Sequence, residues 1–275
     1  MRHQRAIVAL AGAALSLAAC ASDGGGTASS TPEASPEPEV VDVGAAEYAF
    51  SVPAQVRGGV VTMRFTDRGS LPHEFAFGRL DAGRSLEDVR QFVESGKEPP
   101  NWMHDVAGVP ALSPDRSVTV TRNLEPATYA FLCYFPSPDG TPHAQLGMFT
   151  TFEIAGESEA SPPQTDVTFS AGGEGLSVPT IPAGEQVVEL RNEGPGKHGF
   201  LILRTEDPEA TFEQVFSAFG KWFRGGLKGP APATFIGGMQ SFPAETSVFE
   251  SINFEAGTYI VWDEDGDDDV MVQVS

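Results

Sequence analysis

The chain has 275 residues and a formal net charge of −21, with 17 Lys and Arg against 38 Asp and Glu. A face that binds nucleic acid needs clustered basic side chains, so this balance excludes nucleic acid as a partner. The acidic surface favours solubility, and it would also steer a basic partner protein. Because the length exceeds the usual size of one hydrophobic core, we expect two domains.

The first segment, residues 1–20, has the pattern of a secretory signal peptide. Arg2 and Arg5 precede an apolar run over residues 6–19, which is too short to span a bilayer as a mature helix. The segment ends in Leu-Ala-Ala-Cys, which resembles the lipobox of bacterial lipoproteins and implies lipidation of Cys20. The alternative is an ordinary signal peptide with a chance cysteine at its end. We expect a protein of the cell envelope, lipid-anchored through this cysteine to the outer face of a bacterial membrane.

Two later segments lack apolar residues and divide the chain. Residues 21–40 are rich in Gly, Ser, Pro and Glu and predict a disordered tether. Residues 156–164 have the same composition and predict a linker between two domains, residues 41–155 and 165–275. No further run is apolar and long enough for a transmembrane helix.

Short apolar runs of alternating or β-branched character occur in both halves and predict an all-β sandwich in each. Examples are VVTMRF at residues 60–65 and TYAFLC at residues 128–133, with Pro, Gly, Asn and Asp between such runs. One helical segment interrupts each half, at residues 85–95 and 207–223, and Asp207 is the expected N-cap of the second. Four apolar residues of the second segment recur at helical spacing, and we expect them to pack in the core rather than form a ligand site: Phe212, Val215, Phe216 and Phe219.

The two halves repeat the same motifs in the same order, which indicates two copies of one unit. Ser-Val-Pro occurs at residues 51–53 and again at residues 177–179. Each copy continues with a strand, a Gly/Pro turn and a histidine before phenylalanine, His73 in the first half and His198 in the second. A helix and a strand that begins Thr-Tyr follow in both. We therefore predict two tandem sandwiches, each with a short helical insertion.

A metal-ligating pattern lies in the first half. Cys133, His143 and Met148 have the spacing C-x9-H-x4-M, and His73 lies sixty positions before the cysteine. If Cys20 carries lipid, Cys133 is a free thiol in an oxidising compartment, either buried or held as a thiolate. A thiolate, two imidazoles and a thioether suit a trigonal copper centre with a weak axial methionine.

Two other interpretations of these residues stay open. The first is a sandwich with a buried free cysteine and unrelated histidine and methionine residues. The second is zinc, which binds Cys/His₂ sites, although a methionine ligand favours a softer ion.

The sequence resembles the cupredoxin family, the plastocyanin-like blue copper proteins, over residues 41–155 in full and 165–275 in degraded form. The resemblance implies Greek-key sandwiches and one type 1 copper ion, with His143 nearest solvent as the electron port. It assigns three equatorial ligands and one weak axial ligand, in that order: His73, Cys133, His143 and Met148. Two features depart from the family, since the C-x9-H interval is longer than in small carriers and Glu74 stands where plastocyanins commonly have Asn.

The second half has lost this pattern. Asp263 aligns with the position of Cys133, and His198 is left as a solitary imidazole. We expect a copper-free structural or docking domain. The acidic run at residues 263–269 lacks the downstream glutamate of a helix-loop-helix calcium site and predicts a solvated turn.

The histidine content argues against an enzyme. Cys133 has Leu132 and Tyr134 as neighbours rather than a histidine, and the five histidines include no His-x-His pair for a catalytic copper cluster. The sequence therefore predicts a lipid-anchored one-electron carrier that exchanges electrons with a redox partner protein. The alternatives are a metal-free cupredoxin-like binding module and a lipoprotein for copper trafficking or resistance.

Overall fold

The computed structural model describes residues 39–158, 160–266 and 268–275. The predicted signal peptide, Cys20 and nearly all of the predicted tether lie outside these residues. None of the helices in the described ranges is long and apolar enough to cross a membrane.

In the first half, the described residues form nine strands and one helix, α1 (Leu86–Ser95). The strands are β1 (Val40–Ala46), β2 (Ala49–Ser51), β3 (Gln55–Asp67), β4 (His73–Leu80), β5 (Met103–Asp105), β6 (Val109–Leu112), β7 (Ser117–Leu124), β8 (Ala127–Leu132) and β9 (Phe149–Ser158). One layer contains β1, β3 and β7, and the other contains β4, β8 and β9. Stacked aromatic rings such as Phe77 and Phe131, with centroids 4.8 Å apart, fill the core.

The described part of the second half forms eight strands and one helix, α2 (Phe212–Arg224). The strands are β10 (Val167–Gly172), β11 (Gly175–Ser177), β12 (Gly184–Asn192), β13 (His198–Thr205), β14 (Thr234–Phe242), β15 (Thr246–Phe254), β16 (Gly257–Asp263) and β17 (Asp268–Val274). One layer has the order β11-β10-β12-β15, and the other has the order β14-β13-β16-β17. The prediction of an all-β fold with one short helix in each half is confirmed.

The strand pairings of the first half recur in the second. The parallel pair β1–β3 matches β10–β12, and the antiparallel pair β3–β7 matches β12–β15. The pairs β4–β8 and β8–β9 match β13–β16 and β16–β17. Leu132 pairs with Ala76 in the first half, and Trp262 makes the equivalent pair with Leu201 in the second. The residues that follow them, Cys133 and Asp263, therefore occupy equivalent positions.

The two halves join along β7 and β15, where Val120 pairs with Glu250. Val120 pairs with Met63 on β3, and Glu250 pairs with Val188 on β12. Met63 and Val188 occupy equivalent positions in the two repeats, so β7 and β15 are equivalent strands. The two halves pair through these strands and share one sheet. Because β9 runs to Ser158, it also includes the first residues of the predicted linker.

The predicted helical segment at residues 85–95 is confirmed: α1 covers Leu86–Ser95, and Ser85 is its N-cap. The expected N-cap Asp207 of the second helix is wrong, since α2 begins after Thr211. The Thr211 hydroxyl accepts from the Gln214 N–H, and the Gln214 side chain accepts from the Thr211 N–H, which completes a capping box. Core packing is confirmed for Val215 and Phe219 but not for Phe216, whose surface is 55% exposed.

Glu250 provides a pH-dependent contribution to stability at the junction of the halves. Its side chain is buried, and the Gly238 N–H donates to its two oxygens at 3.2 and 3.0 Å. Burial raises the pKa of this carboxyl well above its ordinary value of 4.5, although the Gly238 hydrogen bond opposes the rise. The folded protein therefore keeps this proton at pH values where the unfolded chain has lost it.

We expect Glu250→Gln to remove part of the loss of stability at high pH. Above pH 4.5, Glu250 loses its proton in the unfolded chain but keeps it in the folded protein. The free energy of unfolding therefore falls by up to about 1.4 kcal/mol per pH unit, until the pH reaches the raised pKa. The variant should therefore gain stability over the unchanged protein between pH 5 and pH 8, as measured by denaturant unfolding. Glu185→Gln, on an exposed residue of β12, is the control and should keep the original pH dependence. Equal pH slopes in the two variants would contradict the assignment.

Candidate metal centre

The strand register brings a thiol and two imidazoles together at one end of the first sandwich. His73 is the first residue of β4, and Cys133 follows the last residue of the antiparallel neighbour β8. His143 begins a 3-10 turn, His143–Leu146, in the loop after the cysteine. Cys133 Sγ lies 3.8 Å from His73 Nδ1 and 3.5 Å from His143 Nδ1. The two Nδ1 atoms are 3.2 Å apart, and all three residues are fully buried.

The spacing of these three atoms fits a metal ion. A first-row ion binds histidine nitrogen at about 2.0–2.1 Å and cysteine sulfur at about 2.3 Å. In trigonal or tetrahedral sites, these bond lengths separate two nitrogens by roughly 3.3–3.6 Å, and nitrogen from sulfur by roughly 3.5–3.8 Å. The observed separations are close to these values, so the group of His73, Cys133 and His143 can hold a metal ion.

Backbone hydrogen bonds fold the ligand loop back on itself. The Cys133 N–H donates to the Met148 carbonyl at 3.2 Å, and the Ala144 N–H donates to the Cys133 carbonyl at 2.7 Å. The Met148 N–H donates to the His143 carbonyl at 3.0 Å, across the left-handed residue Gly147, whose φ is 104°. Met148 is fully buried beside this end of the core. The backbone of Met148, the fourth predicted ligand, is therefore hydrogen-bonded to the backbones of Cys133 and His143.

Burial sets the protonation of the three donor groups. It raises the pKa of the Cys133 thiol to about 12, with a further contribution from the charge of Glu74. It lowers the pKa of His73 to about 4, helped by His143, and it also lowers the pKa of His143. Near neutral pH, both imidazoles are thus neutral and the thiol keeps its proton, which metal binding must release. The Glu74 N–H lies 3.4 Å from Cys133 Sγ and supplies a hydrogen bond to the sulfur.

The outer side of His73 faces two carboxyl groups. Its Nε2 lies 3.8 Å from Glu47 Oε1 and 3.9 Å from Asp67 Oδ1, and among the described residues it has no hydrogen-bond partner. Burial opposes ionisation of Glu47, but hydrogen bonds from the backbone N–H groups of Ser70 and Leu71 outweigh it and lower the pKa to about 2. Burial raises the pKa of Asp67 to about 7, against the hydrogen bond from the Gly69 N–H. These acidic neighbours are suited to orienting a metal-bound imidazole.

All four predicted ligands are fully buried, and the predicted electron port, His143, does not reach the surface. The ring of Tyr48 covers it edge-on at a centroid distance of 4.8 Å, and Phe135 lies at 6.0 Å. Phe135 in turn packs against Phe223 of α2 at 5.6 Å, so the helix of the second half covers this end of the first sandwich. Sequence reasoning missed both covering rings, because neither has a metal-binding side chain and the packing of α2 is a long-range contact.

The equivalent position in the second half is occupied by a hydrogen-bonded pair. His198 Nδ1 and Asp263 Oδ2 are 2.6 Å apart, so the prediction of a solitary His198 is wrong. The other oxygen of Asp263 accepts from the N–H groups of Gly199 at 3.4 Å and Asp265 at 3.2 Å. Both oxygens of Asp263, the residue at the position of the cysteine, thus form hydrogen bonds within the protein.

Gly69 allows the close approach of His73 to the neighbouring loop. A Cβ at Gly69 would overlap His73 Nε2 and lie 2.8 Å from Glu47 Oε1. We expect Gly69→Ala to displace the imidazole and to lower the affinity for a bound metal ion by on the order of 10–100-fold, as losses around metal ligands typically do. Competition with a chelator of known affinity measures this change.

The second half supplies the matched control. A Cβ at Gly194 would lie 2.6 Å from His198 Nε2, in the same relation to the equivalent histidine. Gly194→Ala should strain its own half and leave the metal affinity unchanged. Equal losses of affinity in the two variants would mean that general destabilisation, not the position of His73, controls binding.

No protein-family model matches the chain, and no curated protein matches it by sequence. Among solved structures, the chain is similar to dithionite-reduced auracyanin from Roseiflexus castenholzii, with 21% identity and a TM-score of 0.31 over 44% of this chain and 99% of that one. Auracyanin A, a blue copper protein from Chloroflexus aurantiacus, has 19% identity and a TM-score of 0.30, over 43% of this chain and 99% of that one. Blue copper oxidase from Nitrosomonas europaea has 16% identity and a TM-score of 0.26, over 87% of this chain and 86% of that one.

These TM-scores are low, so the interpretation of the site rests on the chain's own atoms. The strand order repeats in both halves, and the first half holds one thiol and two imidazoles at one end of its sandwich. The first half of this chain is thus a β-sandwich with a group of donors at one end that can hold a metal ion.

Proposed function

We propose that the chain is a type 1 copper protein that carries one electron at a time. The observation that carries this proposal is the buried group of His73 Nδ1, Cys133 Sγ and His143 Nδ1, with separations of 3.2–3.8 Å. A copper ion held by these three residues, with Met148 as the weak axial ligand, would supply a centre that alternates between two oxidation states.

The chain's own residues favour rapid electron exchange at such a centre. The donors lie on strand ends and on a loop fixed by backbone hydrogen bonds, so little rearrangement accompanies a change of charge. Because the three donors are fully buried, few water molecules need to reorient. The hydrogen bond from the Glu74 N–H to Cys133 Sγ stabilises the thiolate.

The surface route to the site differs from the one that the resemblance implies. His143 is covered, whereas Tyr134 is bonded directly to Cys133 in the chain and is 40% exposed. Leu146, in the turn after His143, is 41% exposed. We assign the contact area for a redox partner to the surface around these two residues. The net charge of −21 favours a basic partner.

The proposed role is electron transfer rather than catalysis. Within the described residues, His73, Cys133 and His143 form a single group of metal-ligating side chains, which suits one ion and not a catalytic cluster. We also propose an anchor at Cys20 on the outer face of a bacterial membrane, because residues 1–20 have the pattern of a signal peptide and end in a lipobox-like segment. The second half would then act as a copper-free partner that covers the ligand loop.

The test is to add Cu(II) to the reduced, metal-free, full-length protein and to record its visible spectrum. We expect an intense thiolate-to-copper absorption that saturates at one equivalent. Absence of this band in a folded, reduced protein would overturn the proposal and favour the metal-free binding module. Rapid transfer of the bound copper to a chelator would favour copper trafficking instead, since an electron carrier keeps its ion.

A further inference from the structure

A cavity of about 270 Å³ lies between the two halves, beside the metal centre. Ala111 and Phe135 line it from the first half, and Leu203, Val215 and Phe219 line it from the second. A space of this size has room for a molecule of roughly ten non-hydrogen atoms. Its largely aromatic and aliphatic wall favours an apolar body, such as an aromatic ring.

One part of the cavity wall is acidic. Glu74 and Glu264 both line it, together with Gln240, whose Nε2 donates to Glu74 Oε1 at 2.8 Å. The two carboxyl groups therefore face the same enclosed space. Among the salt bridges of the described residues, none joins a Lys, Arg or His to either glutamate. Two acidic groups beside an apolar wall favour a cationic ligand group.

Aromatic side chains next to this acidic part also favour a cation. Trp262 precedes Asp263 and Glu264 in the chain, and its ring lies 5.4 Å from Phe212 and 5.6 Å from Phe216. All three rings line the cavity, and Phe216 is also exposed to solvent. Ring faces attract cations within about 6 Å of the ring centroid. The Trp262 indole Nε1–H is buried and has no acceptor among the described residues.

We propose that this cavity binds a small organic cation with an aromatic ring, its ring between Phe135 and α2 and its charge between Glu74 and Glu264. The proposal goes beyond electron transfer and does not require copper. The site nevertheless adjoins the metal centre, because Phe135 also packs on His143 and the Glu74 N–H donates to Cys133 Sγ.

Three probes of similar size separate the contributions of charge and ring. The probes are 2-phenylethylamine, which is cationic, 2-phenylethanol, which is neutral, and phenylacetate, which is anionic. Isothermal titration calorimetry on the full-length, metal-free protein at pH 7 measures each affinity. We expect the amine to bind at least tenfold more tightly than the alcohol, and phenylacetate to give no binding heat. Absence of amine binding at millimolar concentration, or equal affinities for amine and alcohol, would overturn the proposal.

Two variants locate the binding site. Glu264 is exposed, so Glu264→Gln should leave the fold intact, lower the amine affinity about tenfold and leave the alcohol affinity unchanged. Glu94→Gln, an equal change of charge on an exposed residue of α1, is the control and should alter neither affinity. Val215→Phe should fill the cavity and remove binding of both probes. Identical effects of the two glutamate variants, or unchanged amine binding in Val215→Phe, would place the binding elsewhere.

The result is independent of the copper proposal. Cys133→Ser should bind the amine as tightly as the unchanged protein does, because the cysteine does not line the cavity. A protein that binds the amine but gives no copper band would keep this inference and lose the proposed function. The reverse outcome would overturn the inference alone.

Discussion

Cys133→Ser is expected to abolish the visible absorption that Cu(II) gives with the unchanged protein. The band requires a thiolate bound to copper, and Cys133 Sγ is the sulfur that lies within 3.8 Å of both His73 Nδ1 and His143 Nδ1. A serine hydroxyl supplies neither the soft donor nor the charge-transfer transition. We expect the loss of absorbance to be complete, and any remaining Cu(II) to bind more weakly.

The second cysteine provides the matched control for this variant. The chain has two cysteines, so Cys20→Ser removes the other thiol and leaves the metal centre unchanged. The Cys20→Ser protein should keep the full band and its one-to-one stoichiometry. Because Cys133 is buried, the serine variant should lose about 1–3 kcal/mol of unfolding free energy, and denaturant unfolding will verify that it is folded. A band that survives in folded Cys133→Ser would exclude this cysteine as a ligand.

The sequence alone predicts the fold class and the three residues that the structure brings together, His73, Cys133 and His143. Alternation of apolar residues identifies strands, and repeated motifs identify the two copies, because both signals are local. The approach of His73 to Cys133 also follows from local order, since His73 begins β4 and Cys133 directly follows the neighbouring strand β8. In each of these cases, the residues whose pattern supports the prediction are the same residues that form the strand or the site.

The features that the sequence did not reveal depend on contacts between distant segments. The cover over His143 needs Phe135 and Phe223, which lie in different halves of the chain. The cavity likewise is lined by residues of both halves, and it includes Phe216, which is 55% exposed although its spacing on the helix is that of a core residue. The start of α2 was misplaced for a different reason, because both Asp207 and Thr211 are good caps and only the Gln214 side chain distinguishes them.

The comparison of the two halves explains how the second site can persist without a metal. In the first half, the buried thiol and imidazoles need an ion to use their lone pairs fully. In the second half, Asp263 at the cysteine position accepts hydrogen bonds from two backbone N–H groups and lies 2.6 Å from His198 Nδ1. The carboxylate therefore satisfies the polar groups around it, and this contact is a structural substitute for a ligand bond.

Asp263→Ala is accordingly expected to destabilise the protein by about 3 kcal/mol, because it leaves His198 and two backbone N–H groups without an acceptor at a buried position. Denaturant unfolding at neutral pH measures the loss. Asp265→Ala, on an exposed neighbour that accepts from Ser241 Oγ, should cost less than about 1 kcal/mol. Copper titration of the Asp263 variant should give the unchanged band and stoichiometry, since this residue makes no contact with the first site. A stability like that of the Asp265 variant would mean that the pair contributes little, and His198 would then be a passive remnant of the repeat.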